Sequence, residues 1–350
     1  MHRQNIDSLM PFLSILPQPA FCIRSNGTVT FNNAAKHLIP SCAADLTRWL
    51  GDAKLHYDLW DRSSSLQLCV CLNDTPYSAA IHALQDGTLF LLSSNATTDS
   101  AKDAMGVTSQ VLRQPLADLS STLYTADSPP SGSVNRHMHR LTRIVANLTD
   151  LSTINEKTVK LSICPIDLRP LLLELSDQVC VLCQKLGHEF RAALPCTDIS
   201  FIADPTLLKR AILNMVSNAL KFSPPGTPIT LRTETIGNYL MLQVENQCTD
   251  DGQDLLRAAF DRLSRRNMLP DPNWGIGLGL PLVNTIARLH GGMVAVETAN
   301  ATATVSLSVC MTKFGKKDVL ELPFVLDYTG GMNQALLELS DVLPADVYEQ

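Results

Sequence analysis

Along the N-terminal third of the chain, from about Leu9 to Asn95, apolar and polar residues alternate in short runs, the pattern of strands in a half-buried sheet. Ala20 to Arg24 and Thr28 to Asn32 flank the turn signal Ser25-Asn26-Gly27 and predict a hairpin, followed by a short helix over Asn33 to Leu38. Ser65 to Leu72, Tyr77 to Leu84 and Thr88 to Ser93 add three strands, with Asn73-Asp74-Thr75-Pro76 and Gln85-Asp86-Gly87 between them as turns. The expectation is a curved antiparallel sheet of five strands, with helices inserted after the second.

From about Thr98 to Glu156 the period becomes helical. Asp103 to Tyr124 predicts one helix, the Asp127 to Ser133 break ends it, and Val134 to Asn155 predicts another. The second carries Leu141, Ile144, Val145, Leu148, Leu151 and Ile154 on one stripe. A two-helix hairpin cannot cover such a stripe alone, so pairing with a second copy into a four-helix bundle is expected. The first helix holds an oddity, Pro115 within SQVLRQPLADLS. A proline there costs ~3 kcal/mol in an ordinary helix interior.

Between Lys157 and Thr312 strands and helices alternate. DLRPLLLELSDQVCVLCQKLG reads as one amphipathic helix and PITLRTETIGNYLMLQVENQ as a strand pair. In the tail beyond, Asn333 to Leu343 predicts an amphipathic helix with no chemical signature. The chain thus divides into residues 1–97, 98–157, 158–312 and 313–350.

Composition narrows the classes. The 28 basic and 34 acidic residues give a net charge of -6 with no basic block, which argues against nucleic acid as a partner. No apolar run approaches the ~20 residues of a membrane span. The N-terminal patch MHRQNIDSLMPFLSILPQP is broken by prolines and lacks a small-residue cleavage site, so a cytoplasmic location is expected. Among the ten cysteines, the pairs Cys69/Cys71 and Cys180/Cys183 read as small buried hydrophobes, and no structural metal is assigned to them.

Two segments carry candidate chemistry. LLKRAILNMVSNALKFSP places Asn214 and Asn218 four residues apart on one helix face, with Ile212, Met215 and Leu220 packing on the other. NWGIGLGLPLVNTIARLHGG has Gly275, Gly277 and Gly279 directly before an apolar helix, where backbone N–H groups can approach a phosphate. In order and spacing these segments resemble the ATP-binding domain of sensor histidine kinases, a fold shared with Hsp90-type chaperones, gyrase B and MutL. The resemblance covers about Thr98 to Val309.

The resemblance implies ATP and Mg²⁺ as cofactors. Asn214 and Asn218 fall in the N box, where Asn218 would hold Mg²⁺ and Lys221 would reach phosphate. Gly275, Gly277, Leu278 and Gly279 fall in the G2 box that wraps the triphosphate, and Phe260 in FDRLSRR falls in the F box beside a lid over Arg265 to Trp274. LPQPAFCIRSNGTVTFNNAAKHLI resembles the opening of a PAS sensor domain. The implied fold class is α+β multidomain: a PAS-like α/β sheet domain, a helical hairpin, and an α/β sandwich ATP-binding domain. The implied partners are a second copy of the chain and a response regulator or partner kinase.

Five positions depart from the family pattern. Asn246 stands where an aspartate would accept the adenine amino group, and a neutral acceptor is weaker by roughly 1 kcal/mol. Cys248 and Asp250 replace the two glycines that follow, so their side chains are expected to intrude on the nucleotide. SQVLRQPL matches the phosphoacceptor motif at Leu112, Arg113, Pro115 and Leu116, which accounts for the kink. Its histidine is Gln110 and its acidic neighbour is Val111. An amide nitrogen whose lone pair is delocalised cannot serve as the nucleophile. His137 and His139 read as surface residues, and His56, His82, His188 and His290 as surface, strand or helix-end positions. The expected function is a Mg-ATP-binding signalling protein without conventional autophosphorylation. Alternatives are a kinase acting on a histidine or serine of a partner, and a nucleotide-free scaffold.

Overall fold

Ten strands join edge to edge into one sheet in the computed structural model, which describes residues 6–38, 50–72, 75–94, 131–155, 161–195, 198–261, 279–315, 329 and 331–349. The N-terminal unit begins with α1 (Ile6–Ile15), which continues through Pro11 although the prolines were expected to break this patch. Burial of Ile6 and Leu13 against Ala20, Cys22 and Leu89 outweighs the hydrogen bond that Pro11 removes. The strands β1 (Ala20–Arg24) and β2 (Val29–Phe31) form the expected hairpin, with Gly27 at φ +82° in its turn. Then follow α2 (Asn33–Leu38), α3 (Lys54–Leu59), β3 (Ser65–Leu72), β4 (Thr75–Ala83) and β5 (Gly87–Ser94). All five strands pair antiparallel in the order β2-β1-β5-β4-β3 over a core containing Phe21, Tyr57, Trp60 and Phe90.

The helix α4 (Ser131–Asn155) starts inside the segment read as a break. The helix expected before it, with Gln110, lies outside the described residues. Next come β6 (Cys164–Asp167), α5 (Leu168–Lys185), β7 (Phe190–Ala193), β8 (Ser200–Ala203) and α6 (Pro205–Phe222). They are followed by β9 (Ile229–Ile236), β10 (Tyr239–Gln247), α7 (Asp250–Asp261), α8 (Gly279–Leu289), β11 (Val294–Ala299), β12 (Thr302–Cys310) and α9 (Gln334–Glu338). Strands β11-β12-β10-β9-β7 make a mixed sheet in which only the β7–β9 pairing is parallel, while β6 and β8 pair separately. Leu172, Val216 and Val283 from α5, α6 and α8 share one core with Leu231, Leu242 and Val305 from the strands.

The two halves of the sheet meet where β3 pairs antiparallel with β11, Leu68 opposite Ala295 and Leu66 opposite Glu297. Pairing the two edges satisfies backbone groups that would otherwise be exposed. Met293 and Ala295 complete the N-terminal core. Across this junction the buried His56 Nε2 lies 3.1 Å from Ser308 Oγ. His56 in the last turn of α3 and His290 directly after α8 are the helix-end positions that the sequence allows, and both side chains are interior rather than on the surface.

The His-Gly-Gly turn after α8 has a steric reason. A Cβ on Gly292 would lie 1.9 Å from the Ser308 carbonyl oxygen, and Gly291 adopts φ +71°. Within the same turn His290 Nε2 accepts from the Asp204 N–H (3.1 Å), while Nδ1 lies 2.8 Å from the Ile286 carbonyl, which it reaches as the N–H donor. Asp204 caps α6, its Oδ1 accepting from the Leu207 N–H at 3.0 Å. The histidine therefore ties the end of α8 to the start of α6.

Burial pushes the His56 imidazole down to about 4, so the folded state excludes a proton that the unfolded chain binds below its ordinary value. His82 and His290 are lowered in the same direction by burial. The stabilisation is complete above about pH 6.5 and is lost as pH falls toward the folded value, by up to ~3 kcal/mol for His56. Urea unfolding followed between pH 7 and 4.5 should show this loss, and His56→Gln should flatten the slope; an unchanged slope would remove His56 from the account.

Candidate functional site

Asn214 and Asn218 lie on α6, on the side that meets the start of α8. A Cβ built on Gly279, the first residue of α8, would sit 2.9 Å from Asn214 Oδ1 and 3.8 Å from Asn218 Oδ1. Glycine is what lets the two helices approach there, and the approach brings a helix N-terminus to a pair of amides. Gly275, Gly277 and Leu278, and the lid over Arg265 to Trp274, lie outside the described residues.

Asn214 is fully buried and belongs to a network that the sequence reading did not foresee. Its Oδ1 accepts from Arg143 Nη2 at 2.9 Å, and its Nδ2 donates to the Arg210 carbonyl and to Glu338 Oε2, each at 2.9 Å. Arg143 comes from α4 and Glu338 is the last residue of α9. Glu338 also accepts from Arg143 Nε (3.1 Å) and from Arg210 Nε (2.8 Å). Arg210 Nη2 donates in turn to Asn147 Oδ1 at 2.6 Å. Asn218, one turn further along, is half-buried.

Lys221 meets a second carboxylate. Its Nζ is 2.9 Å from Asp341 Oδ2, which also lies 2.9 Å from Arg143 Nη1, while Arg140 Nε is 3.0 Å from Asp341 Oδ1. Burial acts to raise the Asp341 carboxyl, but the cations Lys221, Arg143 and Arg140 outweigh it and hold the group far below the usual carboxylate range. Burial lowers the Lys221 ammonium, and Asp341 opposes that shift.

Asn246, the penultimate residue of β10, is buried, and its Nδ2 donates to the Gln247 carbonyl at 2.8 Å. Cys248 does not intrude on a cleft as expected. It is buried in the main core, with its N–H donating to the Ala301 carbonyl at 2.8 Å. The side chain of Asp250 lies outside the described residues. Phe260 is fully buried in the same core.

The structure corrects several sequence expectations. On α4 the inward residues beside Ile144 are Arg143 and Asn147, whereas Val145 of the expected apolar stripe is 51% exposed. This face packs on α8 and the tail of the same chain and meets α6 through the Arg143–Asn214 and Arg210–Asn147 hydrogen bonds, with the Arg143 guanidinium set between Glu338 and Asp341. His139 is half-buried, its ring 4.8 Å from that of Tyr348. The tail helix is shorter than expected and does carry chemistry. Glu338 and Asp341, three residues apart in an apolar segment, were the available signal, together with Arg140 and Arg143 at the same spacing. Arg210, one turn before Asn214, was a further one.

Removing one partner from a buried ion pair strands the other, a loss of about 3–5 kcal/mol, whereas an exposed pair contributes less than about 1 kcal/mol. Glu338→Ala should therefore lower unfolding stability severely, and Glu174→Ala, which breaks the exposed pair with Lys209, should barely change it. Equal effects in denaturant titrations would contradict the network's structural weight.

Comparison with known proteins places these residues in context. Residues 203–313 match the family of histidine kinase-, DNA gyrase B- and HSP90-like ATPases. The sensor histidine kinase CusS of Escherichia coli O157:H7 is 40% identical over 106 residues, 29% of this chain and 21% of CusS. The histidine protein kinase DivJ of Caulobacter vibrioides is 30% identical over 175 residues, 48% of this chain and 29% of DivJ. The matched stretch is thus under a third of either relative. Among solved structures, the Acinetobacter baumannii histidine kinase AdeS superposes with a TM-score of 0.44 at 17% identity, covering 57% of this chain and 97% of that one. Among the described residues no helix is long and apolar enough to cross a membrane. Over residues 203–313 the chain is thus similar to the ATPases shared by histidine kinases, DNA gyrase B and HSP90.

Proposed function

We propose that the protein is a signal-transduction member of the histidine kinase family that binds Mg-ATP and does not phosphorylate itself in the conventional way. The observation that carries this reading is the contact of Gly279 with Asn214 and Asn218, which joins the two motif segments at one place. The donor set suits the cofactor: carboxamide oxygens are ligands for Mg²⁺, and a lysine and a helix N-terminus attract phosphate. Asn218 would hold the metal, because both ends of the Asn214 amide are already engaged. Lys221 would contact phosphate, Gly275, Gly277, Leu278 and Gly279 would surround the triphosphate, and Asn246 would accept the adenine amino group.

When bound, Mg-ATP supplies a transferable γ-phosphoryl group. Gln110 stands at the position where an acceptor would take it, and its amide is not nucleophilic. The protein then acts through its conformation: a PAS-like N-terminal domain, a hairpin that pairs with a second copy, and a response regulator or partner kinase as the recipient, in the cytoplasm. The five-stranded order β2-β1-β5-β4-β3 supports the first element. The exposed Met138 and Val145, seven residues apart on α4, support the second.

Mg-ATP at 100 times its Kd should add ~2.7 kcal/mol to stability, visible as a raised unfolding temperature. Asn218→Ala should remove the Mg²⁺ dependence of that shift, and γ-labelled ATP should leave no acid-labile label on the chain. Strong acid-labile labelling of the wild type, or nucleotide binding indifferent to Asn218, would overturn the reading.

A further inference from the structure

The four cations beside the paired asparagines are held by two carboxylates from the far end of the same chain. Arg140 and Arg143 come from α4, and Arg210 and Lys221 from α6. Glu338 contacts Arg143, Arg210 and Asn214, and Asp341 contacts Arg140, Arg143 and Lys221. Carboxylate and phosphate oxygens satisfy guanidinium and ammonium groups in the same manner, through short charge-assisted hydrogen bonds. We propose that the C-terminal segment is an internal competitor of the nucleotide: Asp341, with Glu338 behind it, occupies the cationic pocket that the phosphates of Mg-ATP enter.

The inference rests on the nucleotide-binding reading of Lys221 and Asn218 given above. Its own support is the way the segment is docked. Asn333 caps α9, its Oδ1 accepting from the Leu336 N–H at 3.1 Å, and Gln334 Nε2 reaches the Thr206 carbonyl at 3.2 Å. Leu339, Leu343, Val347 and Tyr348 enter the core shared by α5, α6 and α8. Asn135 Nδ2 donates to the Tyr348 carbonyl at 3.0 Å, so α4 and the tail are fastened together. A Cβ on Gly132 would lie 2.4 Å from the Ala345 carbonyl oxygen, which shows how closely α4 and the tail approach.

With this docking Lys221 cannot contact phosphate while Asp341 holds its ammonium, and a bound triphosphate brings several negative charges against two carboxylates. Nucleotide and docked tail therefore exclude each other. The apparent affinity falls by the fraction of molecules whose tail is undocked, and a tail docked in nine molecules of ten weakens binding about tenfold. Any partner that lifts the tail, or pulls α4 away from it, frees the pocket.

Calorimetric titration with Mg-ATP tests the competition on the full chain. Asp341→Asn removes the charge facing Lys221 and should lower Kd about tenfold. Val347→Ala loosens the tail's apolar anchor without touching a charge and should lower Kd several-fold. The neighbouring exposed Asp346, neutralised by Asp346→Asn, should leave Kd at the wild-type value. Tighter binding in the first two variants and not in the third supports the proposal. Wild-type Kd in both Asp341→Asn and Val347→Ala overturns it and leaves nucleotide binding intact. Should Asp341→Asn not fold, Val347→Ala decides. An absence of binding in every variant at millimolar Mg-ATP removes the nucleotide reading, and the competition with it.

Discussion

A carboxylate with no exposed surface stays charged in a protein interior only if donors surround it, because removing it from water costs several kcal/mol. Glu338 meets that demand with Arg143, Arg210 and Asn214, each from a helix that the fold must bring to one point. This requirement fixes the relation of α4, α6 and the C-terminal segment. A shift of any of the three leaves a buried guanidinium or carboxylate that must find another partner, and for the cations a phosphate is such a partner. Asp341 extends the same network toward Lys221 and the solvent edge. The position of the tail is thus set by charge as well as by the apolar anchors Leu339, Leu343 and Val347.

A second constraint lies in the sheet. The β3–β11 pairing carries hydrogen bonding from the N-terminal strands into the strands beneath the candidate site. His56, neutral and buried beside Ser308, sits on that seam, and His290 links the next turn to the cap of α6. A continuous path of packed elements therefore runs from the N-terminal sheet to the amide pair. Whether a signal uses it depends on an element with two arrangements, and the tail is the candidate for that role.

Much of the fold was legible because period decides it. The five N-terminal strands, the α5 helix and the β9–β10 pair stand where alternation and helical spacing put them. The Asn214/Asn218 face and the Gly279 helix start were legible because each motif has a local mechanical reason. The rest was hidden because it depends on long-range partners. Arg143 and Glu338 are 195 residues apart in sequence, and Lys221 and Asp341 are 120 apart, so no local pattern shows that they meet. The same holds for His56 and Cys248, whose burial is decided by strands that arrive later in the chain. Pro11 stayed helical because tertiary packing overrode its local preference.

The central claim is that the carboxylates of the tail and the phosphates of a nucleotide compete for one set of cations. Amide hydrogen exchange of residues 335–343, followed with and without saturating Mg-ATP, tests it most directly. The account predicts faster exchange in that segment when nucleotide is bound, with the β3–β11 amides unchanged. Exchange in the tail that stays the same or slows on nucleotide binding would contradict it.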